Sequence, residues 1–84
     1  MKKIRLSAHA LSYAEKRGFT PAEIIEAIRK CPWEPAELGR RQCRMEVPFG
    51  KVWNGKTYAT RQVRPIFVEE EGEILVVTVY TYYY

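Results

Sequence analysis

His9 is the one histidine of the chain, and on a helix it shares a face with Tyr13, Lys16 and Arg17 at spacings of four, seven and eight residues. A titratable ring, a phenol and two cations on one surface suit metal-free cleavage of RNA. That chemistry needs a base for the 2′-hydroxyl, a cation for the crowded phosphate and an acid for the leaving 5′-oxygen. The competing reading is a histidine that packs beside the helix start, with Lys16 and Arg17 serving the negative end of the helix dipole. A second set is Arg40, Arg41, Arg44, Arg61 and Arg64. In strand geometry Arg40 and Arg44 share a face, Arg41 takes the other, and Arg61 and Arg64 differ in parity unless Pro65 marks a bulge. Arg44, Arg61 or Arg64 beside Tyr80 would form a phosphate clamp on an aromatic platform. Alternatively, these charges keep strand edges from pairing with other chains. The candidates for catalysis are therefore His9, Lys16, Arg61, Arg64 and Tyr80, and those for nucleic-acid contact are Arg17, Arg40, Arg44 and Tyr82.

Charge is distributed unevenly. Residues 1–64 hold all 14 bases and six acids, for +8, whereas residues 65–84 hold four acids and no base, for −4. A basic body attracts polyanions, RNA first among them, although the same surface could serve solubility alone. The acidic stretch Glu69–Glu73 argues against substrate contact in its vicinity. With 84 residues there is room for a single domain, and an apolar share of 46% suits a folded chain rather than a disordered one. Arg5, Ser7, His9 and Ser12 interrupt any leader-like apolar run, and no stretch has the length of a membrane span, so a cytoplasmic protein is expected. Cys31 and Cys43 form no CxxC pair and with one histidine do not complete a zinc site; two reduced, half-buried thiols are expected. No P-loop, dinucleotide fingerprint or Ser-His-Asp set is present, and neither metal nor cofactor is expected.

The elements that must position these residues are legible in part. Ile4–Leu6 reads as a short edge strand. Ser7 is an N-cap for a helix over Ala8–Arg17, with Gly18 following it as a C′ residue. Thr20-Pro21-Ala22-Glu23 is a capping box with proline at N1, and Phe19 and Ile24 are spaced as a hydrophobic staple. Ile24, Ile25, Ile28 and Cys31 give that helix an apolar stripe, Glu26 and Lys30 an i,i+4 pair, and Pro32 its end. Trp33–Leu38 reads as a loop. Cys43, Met45 and Val47 alternate as a strand that Pro48 and Gly50 interrupt. Asn54-Gly55 marks a type I′ hairpin, with Trp53 at its tip either exposed or packed on Tyr58. Thr57–Val63 runs back from the turn, and Ile74–Tyr82 reads as the central strand. The resulting order is (β)ααβββ, with two helices on one sheet face and the other face open. In a regular strand Leu75, Val77 and Val79 face the helices, leaving Val76, Thr78, Tyr80 and Tyr82 on the open side. The run Tyr80, Tyr82, Tyr83 and Tyr84 could stack on bases, anchor a partner or fold onto its own sheet.

Ser7-Ala8-His9-Ala10, Arg17-Gly18-Phe19-Thr20, Glu23-Ile24-Ile25 and Val76-Val77-Thr78-Val79-Tyr80, in this order, resemble a family of short bacterial proteins. It is the domain-of-unknown-function family numbered four-two-five-eight, which itself looks related to the BrnT and RelE/ParE toxins of toxin–antitoxin modules. The resemblance implies an α+β, RelE-like fold: two N-terminal helices packed on one face of a three- to four-stranded, mainly antiparallel sheet. It also implies a toxin-like activity, mRNA cleavage in many members, and an antitoxin protein as partner. Catalytic residues differ between branches of that superfamily, so no active site is carried over. A non-catalytic binding module is the alternative, and a homodimer through Ile74–Tyr84 is a further reading.

Overall fold

The computed structural model describes residues 2–84. Half of the chain is strand. The elements are β1 (Lys3–Leu6), α1 (Ala8–Ser12), α2 (Ala14–Arg17), α3 (Pro21–Lys30), β2 (Glu34–Pro35), a 3₁₀ turn (Glu37–Gly39), β3 (Arg41–Gln42), β4 (Met45–Trp53), β5 (Lys56–Glu69) and β6 (Glu73–Tyr83). They form one six-stranded mixed sheet in the order β1-β6-β5-β3-β2, with β4 also paired to β5. β1 runs parallel to β6 and the remaining pairs are antiparallel. No helix is long and apolar enough to cross a membrane among the described residues.

This corrects the expected fold. The chain is not two helices on a three- to four-stranded antiparallel sheet; it is 51% strand, with three short helices. Three physical causes account for the difference. Trp33–Leu38 is not a plain loop, because Glu34–Pro35 pairs with Arg41–Gln42. Pro48 and Gly50 do not end β4: β4 pairs with β5 alone, so an edge position accepts the proline, and a register shift between Pro48 and Lys51 takes up the irregularity, with Gly50 at φ 61°. Pro65 lies within β5, which runs for 14 residues. On the β3/β4 side the pairing passes from Val63 with Met45 to Ile66 with Gln42, so the proline sits at a break in that ladder.

The helical signals hold more closely. The Ser7 hydroxyl accepts from Ala10 N at 3.0 Å, as an N-cap does. The helix over 8–17 is broken at Tyr13 (φ −100°, ψ 1°) and closes on Gly18 in the left-handed region. The capping box forms in full: Glu23 N donates to Thr20 Oγ1 at 3.2 Å and Thr20 N to Glu23 Oε1 at 3.0 Å. α3 packs on β5 and α1 on β6. Ile24, Ala27 and Ile28 join Val63, Phe67, Val76 and Val79 in one buried core. Each of the larger side chains there contributes roughly 1.5–3 kcal/mol by leaving water.

A bulge in β6 decides which side chains face the core. Phe67 pairs with Val76 but Ile66 with Thr78, so Val77 is an extra residue. Before it Ile74 and Val76 are buried; after it Val79 is. The expected face therefore splits. Val79 faces the helices and Thr78, Tyr80 and Tyr82 do not, as a regular strand would have it. Val76 belongs to the core, and Leu75 lies on the opposite face from it.

Candidate nucleic-acid interface

Residues directly opposed in a ladder share a face. Arg64 opposes Tyr80, Gln62 opposes Tyr82 and Ile66 opposes both Thr78 and Gln42, so these side chains lie together on the side away from α3. The N-terminal helices supply the rest of the surface. Beyond Val76, β6 has no strand on its outer side, and the α1–α2 segment runs along that edge. Arg17 Nη1 donates to the Val79 carbonyl at 2.6 Å, which fixes the guanidinium at the boundary of the open face.

From this anchor a ladder of rings and cations extends both ways. The Arg17 guanidinium stands 3.9 Å from the Tyr13 ring centroid and 5.2 Å from that of Tyr80. Tyr13 meets His9 edge-on at 5.0 Å, and Lys16 Nζ lies 5.9 Å from the same Tyr13 ring. On the sheet, Arg64 opposes Tyr80 and lies 4.7 Å from the Tyr82 ring. The order is His9, Tyr13, Arg17, Tyr80, Arg64, Tyr82, with aromatic and cationic groups alternating from the helix to the sheet. Tyr80 and Tyr82 are 44% and 43% exposed, so their rings are available to a ligand. The Arg64 Nε is buried and has no protein partner, while its Nη2 donates to Gln62 Oε1 at 3.0 Å. At the far end the negative Glu46 carboxylate near Tyr84 favours the protonated phenol and raises its pKa.

Beside the ladder the 3₁₀ turn overhangs the sheet and closes a cleft of about 620 Å³. Its lining includes Glu37, Leu38, Arg40, Gln42, Thr78 and Tyr80. Ala36 N to Arg40 O at 2.8 Å and Arg40 N to Glu37 O at 3.1 Å hold the turn, and Leu38 within it has φ 59° and is 84% exposed.

Two expected site residues are engaged elsewhere. Arg61 opposes Val47 and Tyr83 and points to the helix side, where it pairs with Glu23 and donates to the Gly18 carbonyl at 2.6 Å. Only 15% of its side chain is exposed, so it braces the α2–α3 corner. The bulge that the sequence could have placed at Pro65 lies instead in the partner strand, at Val77 opposite the Ile66–Phe67 step, so Arg61 and Arg64 keep opposite parity. Arg44 is turned to Glu34 at 2.6 Å. The tyrosine run divides likewise. Tyr83 stacks on Trp53 at 4.8 Å, touches Phe49 and Tyr58, and bonds the Arg17 carbonyl at 2.8 Å, whereas Tyr80, Tyr82 and Tyr84 are exposed. Two of the four acids of the acidic stretch are answered within the fold, by Lys2 on Glu69 at 3.4 Å and by Arg5 on Glu73 at 2.7 Å. The Arg5 guanidinium holds Glu73 below the usual carboxylate range.

Glu37 and Gln42 were not foreseen as site residues. A three-residue turn and a two-residue strand carry no periodicity, and only the fold brings them opposite Tyr80. Among the described residues no group of His, Cys, Asp and Glu is arranged to hold a metal ion. No family model, curated protein or solved structure matches this chain.

Proposed function

We propose that the open sheet face binds single-stranded RNA. The observation that carries this reading is the alternation of rings and guanidiniums from Tyr13 through Arg17, Tyr80 and Arg64 to Tyr82. Bases have faces that stack on such rings, and the phosphates between them need cations at a similar spacing. A duplex would present neither unstacked bases nor that repeat. The test is a titration of a labelled single-stranded oligoribonucleotide over a range of salt. Two guanidiniums, of Arg17 and Arg64, predict a log–log slope of about −1.4. Tyr80→Ala should weaken binding by about 1–3 kcal/mol. Binding that is absent, or unaffected by salt, removes the proposal.

A second reading adds cleavage. His9 stands at the end of the same ladder that would hold the phosphates, with Tyr13 and Lys16 beside it and no metal needed. End-labelled RNA should then be cut by the native protein and left intact by His9→Ala, with affinity changed less than about twofold because His9 is not one of the phosphate cations. Intact RNA with the native protein leaves the binding module. In a toxin–antitoxin setting the neutralising protein would cover this face and displace the oligonucleotide.

A further inference from the structure

The cleft beside Tyr80 holds more polar chemistry than its own fold uses. The Glu37 carboxylate, the Arg40 guanidinium and the Gln42 amide all line it, and among the described residues none of the three has a side-chain hydrogen bond or ion pair. The wall is the half-exposed Tyr80 ring, and the rim is Leu38, an exposed aliphatic side chain in a left-handed conformation that a leucine seldom adopts. A flat ring with a hydrogen-bonding edge fits this set: one aromatic face to stack, one aliphatic cover, and an acceptor and donors around the edge.

Resting on the RNA-binding reading above, we infer that this cleft reads a single unpaired guanine. A carboxylate offers two acceptor oxygens side by side. Guanine presents two donors in matching positions, N1–H and the N2 amino group, and then the acceptors O6 and N7 toward Arg40 and Gln42. The other bases fit less well. Adenine would set its N1 lone pair against Glu37, uracil would flank its one N–H with two carbonyls, and cytosine would offer an amino group next to the N3 acceptor. The exposed carboxylate, set in the same cleft as the Arg40 guanidinium, thereby acquires a role: it disfavours phosphate at that point and favours the base that donates to it.

The experiment compares labelled UUGUU, UUAUU, UUCUU and UUUUU by fluorescence anisotropy at fixed salt, with native protein and with Glu37→Gln. Native protein should bind UUGUU at least about tenfold more tightly than the other three, within the range of one good bidentate base contact. Glu37→Gln should reduce that preference below about threefold by weakening UUGUU without weakening UUUUU, and an unchanged urea midpoint and circular dichroism spectrum report that the variant is folded. Equal binding of all four sequences overturns the guanine assignment and leaves RNA binding standing. A preference for guanine that survives Glu37→Gln overturns the role of the carboxylate. Failure of all four to bind removes the RNA reading and this inference with it.

Discussion

At the scale of single residues, Gly18 shows how closely the helical corner is fitted to the sheet. Its φ of 79° is left-handed, and a Cβ built there would meet Trp53 Cη2 at 2.8 Å and run into the Tyr83 hydroxyl. Neither obstacle is the free end of a chain, since the two rings are stacked and Tyr83 is tied to the Arg17 carbonyl. Gly18→Ala should therefore cost about 2–4 kcal/mol, combining the left-handed penalty with overpacking; urea denaturation measures it, and a loss below 0.5 kcal/mol would contradict the close approach. The sequence offered Gly18 as a helix stop, for which a local signal exists. It offered nothing about the rings above it, which arrive from residues 35 and 65 positions away. The arginines make the same point. Arg64 lies over the Tyr82 ring on the open face, while Arg61, three residues before it, answers a carboxylate on the helix side.

At the scale of elements, the signals that could be read were local and the ones that could not were long-range. The Ser7 cap, the capping box and the Glu26–Lys30 pair all formed, because each closes within four residues. Strand lengths failed because proline and glycine look like stops until a partner strand shows which side is unpaired, as at Pro48 and Pro65. The bulge at Val77 left no mark in an unbroken β-branched run. Glu23 joins the two kinds of signal: it completes the capping box and also pairs with Arg61 of β5. Thr20→Ala, which removes one cap bond, should cost about 1 kcal/mol. Glu23→Ala should cost about 3 kcal/mol, since it also leaves a largely buried guanidinium short of its charge partner. Combined with Arg61→Met in a double-mutant cycle, it should show a coupling of about 1–3 kcal/mol. Additive losses would mean that the pair does not tie α3 to the sheet.

At the scale of the whole molecule, the core face of the sheet carries a buried thiol through which alkaline pH acts on stability. Cys43 is fully buried, and burial pushes its thiol from an ordinary 9.0 up to about 12. The folded state thus keeps a proton that the unfolded chain releases above pH 9. The thiol's contribution is constant below that value and lowers stability by about 1.4 kcal/mol per pH unit between pH 9 and about 12. Burial of Tyr83 raises its pKa too and acts with the same sign. Urea midpoints from pH 8 to 11 should decline less steeply for Cys43→Ala than for the native chain, even though Cys43→Ala starts lower for want of packing. Parallel declines would show that the thiol reaches water.

The division between faces also makes two arginines of one strand predict opposite outcomes. Arg61 is held by Glu23 and the Gly18 carbonyl on the helix side, and Arg64 lies over the Tyr82 ring on the open side. Arg61→Met should lower stability by about 3 kcal/mol, because it strands the Glu23 carboxylate. Affinity for single-stranded RNA, normalised to folded protein, should be unchanged, since no phosphate is within its reach. Arg64→Ala should cost about 1–2 kcal/mol of stability, less than Arg61→Met, as a half-exposed ring contact and one charge-assisted hydrogen bond to Gln62 are lost. It should reduce the salt slope of RNA binding by about 0.7, the share of one cation on a single strand. Paired urea and salt titrations on the two variants read all four quantities. If Arg61→Met weakened RNA binding as much as Arg64→Ala did, the nucleic acid would have to lie across the helix side, and the open face would lose its claim as the interface.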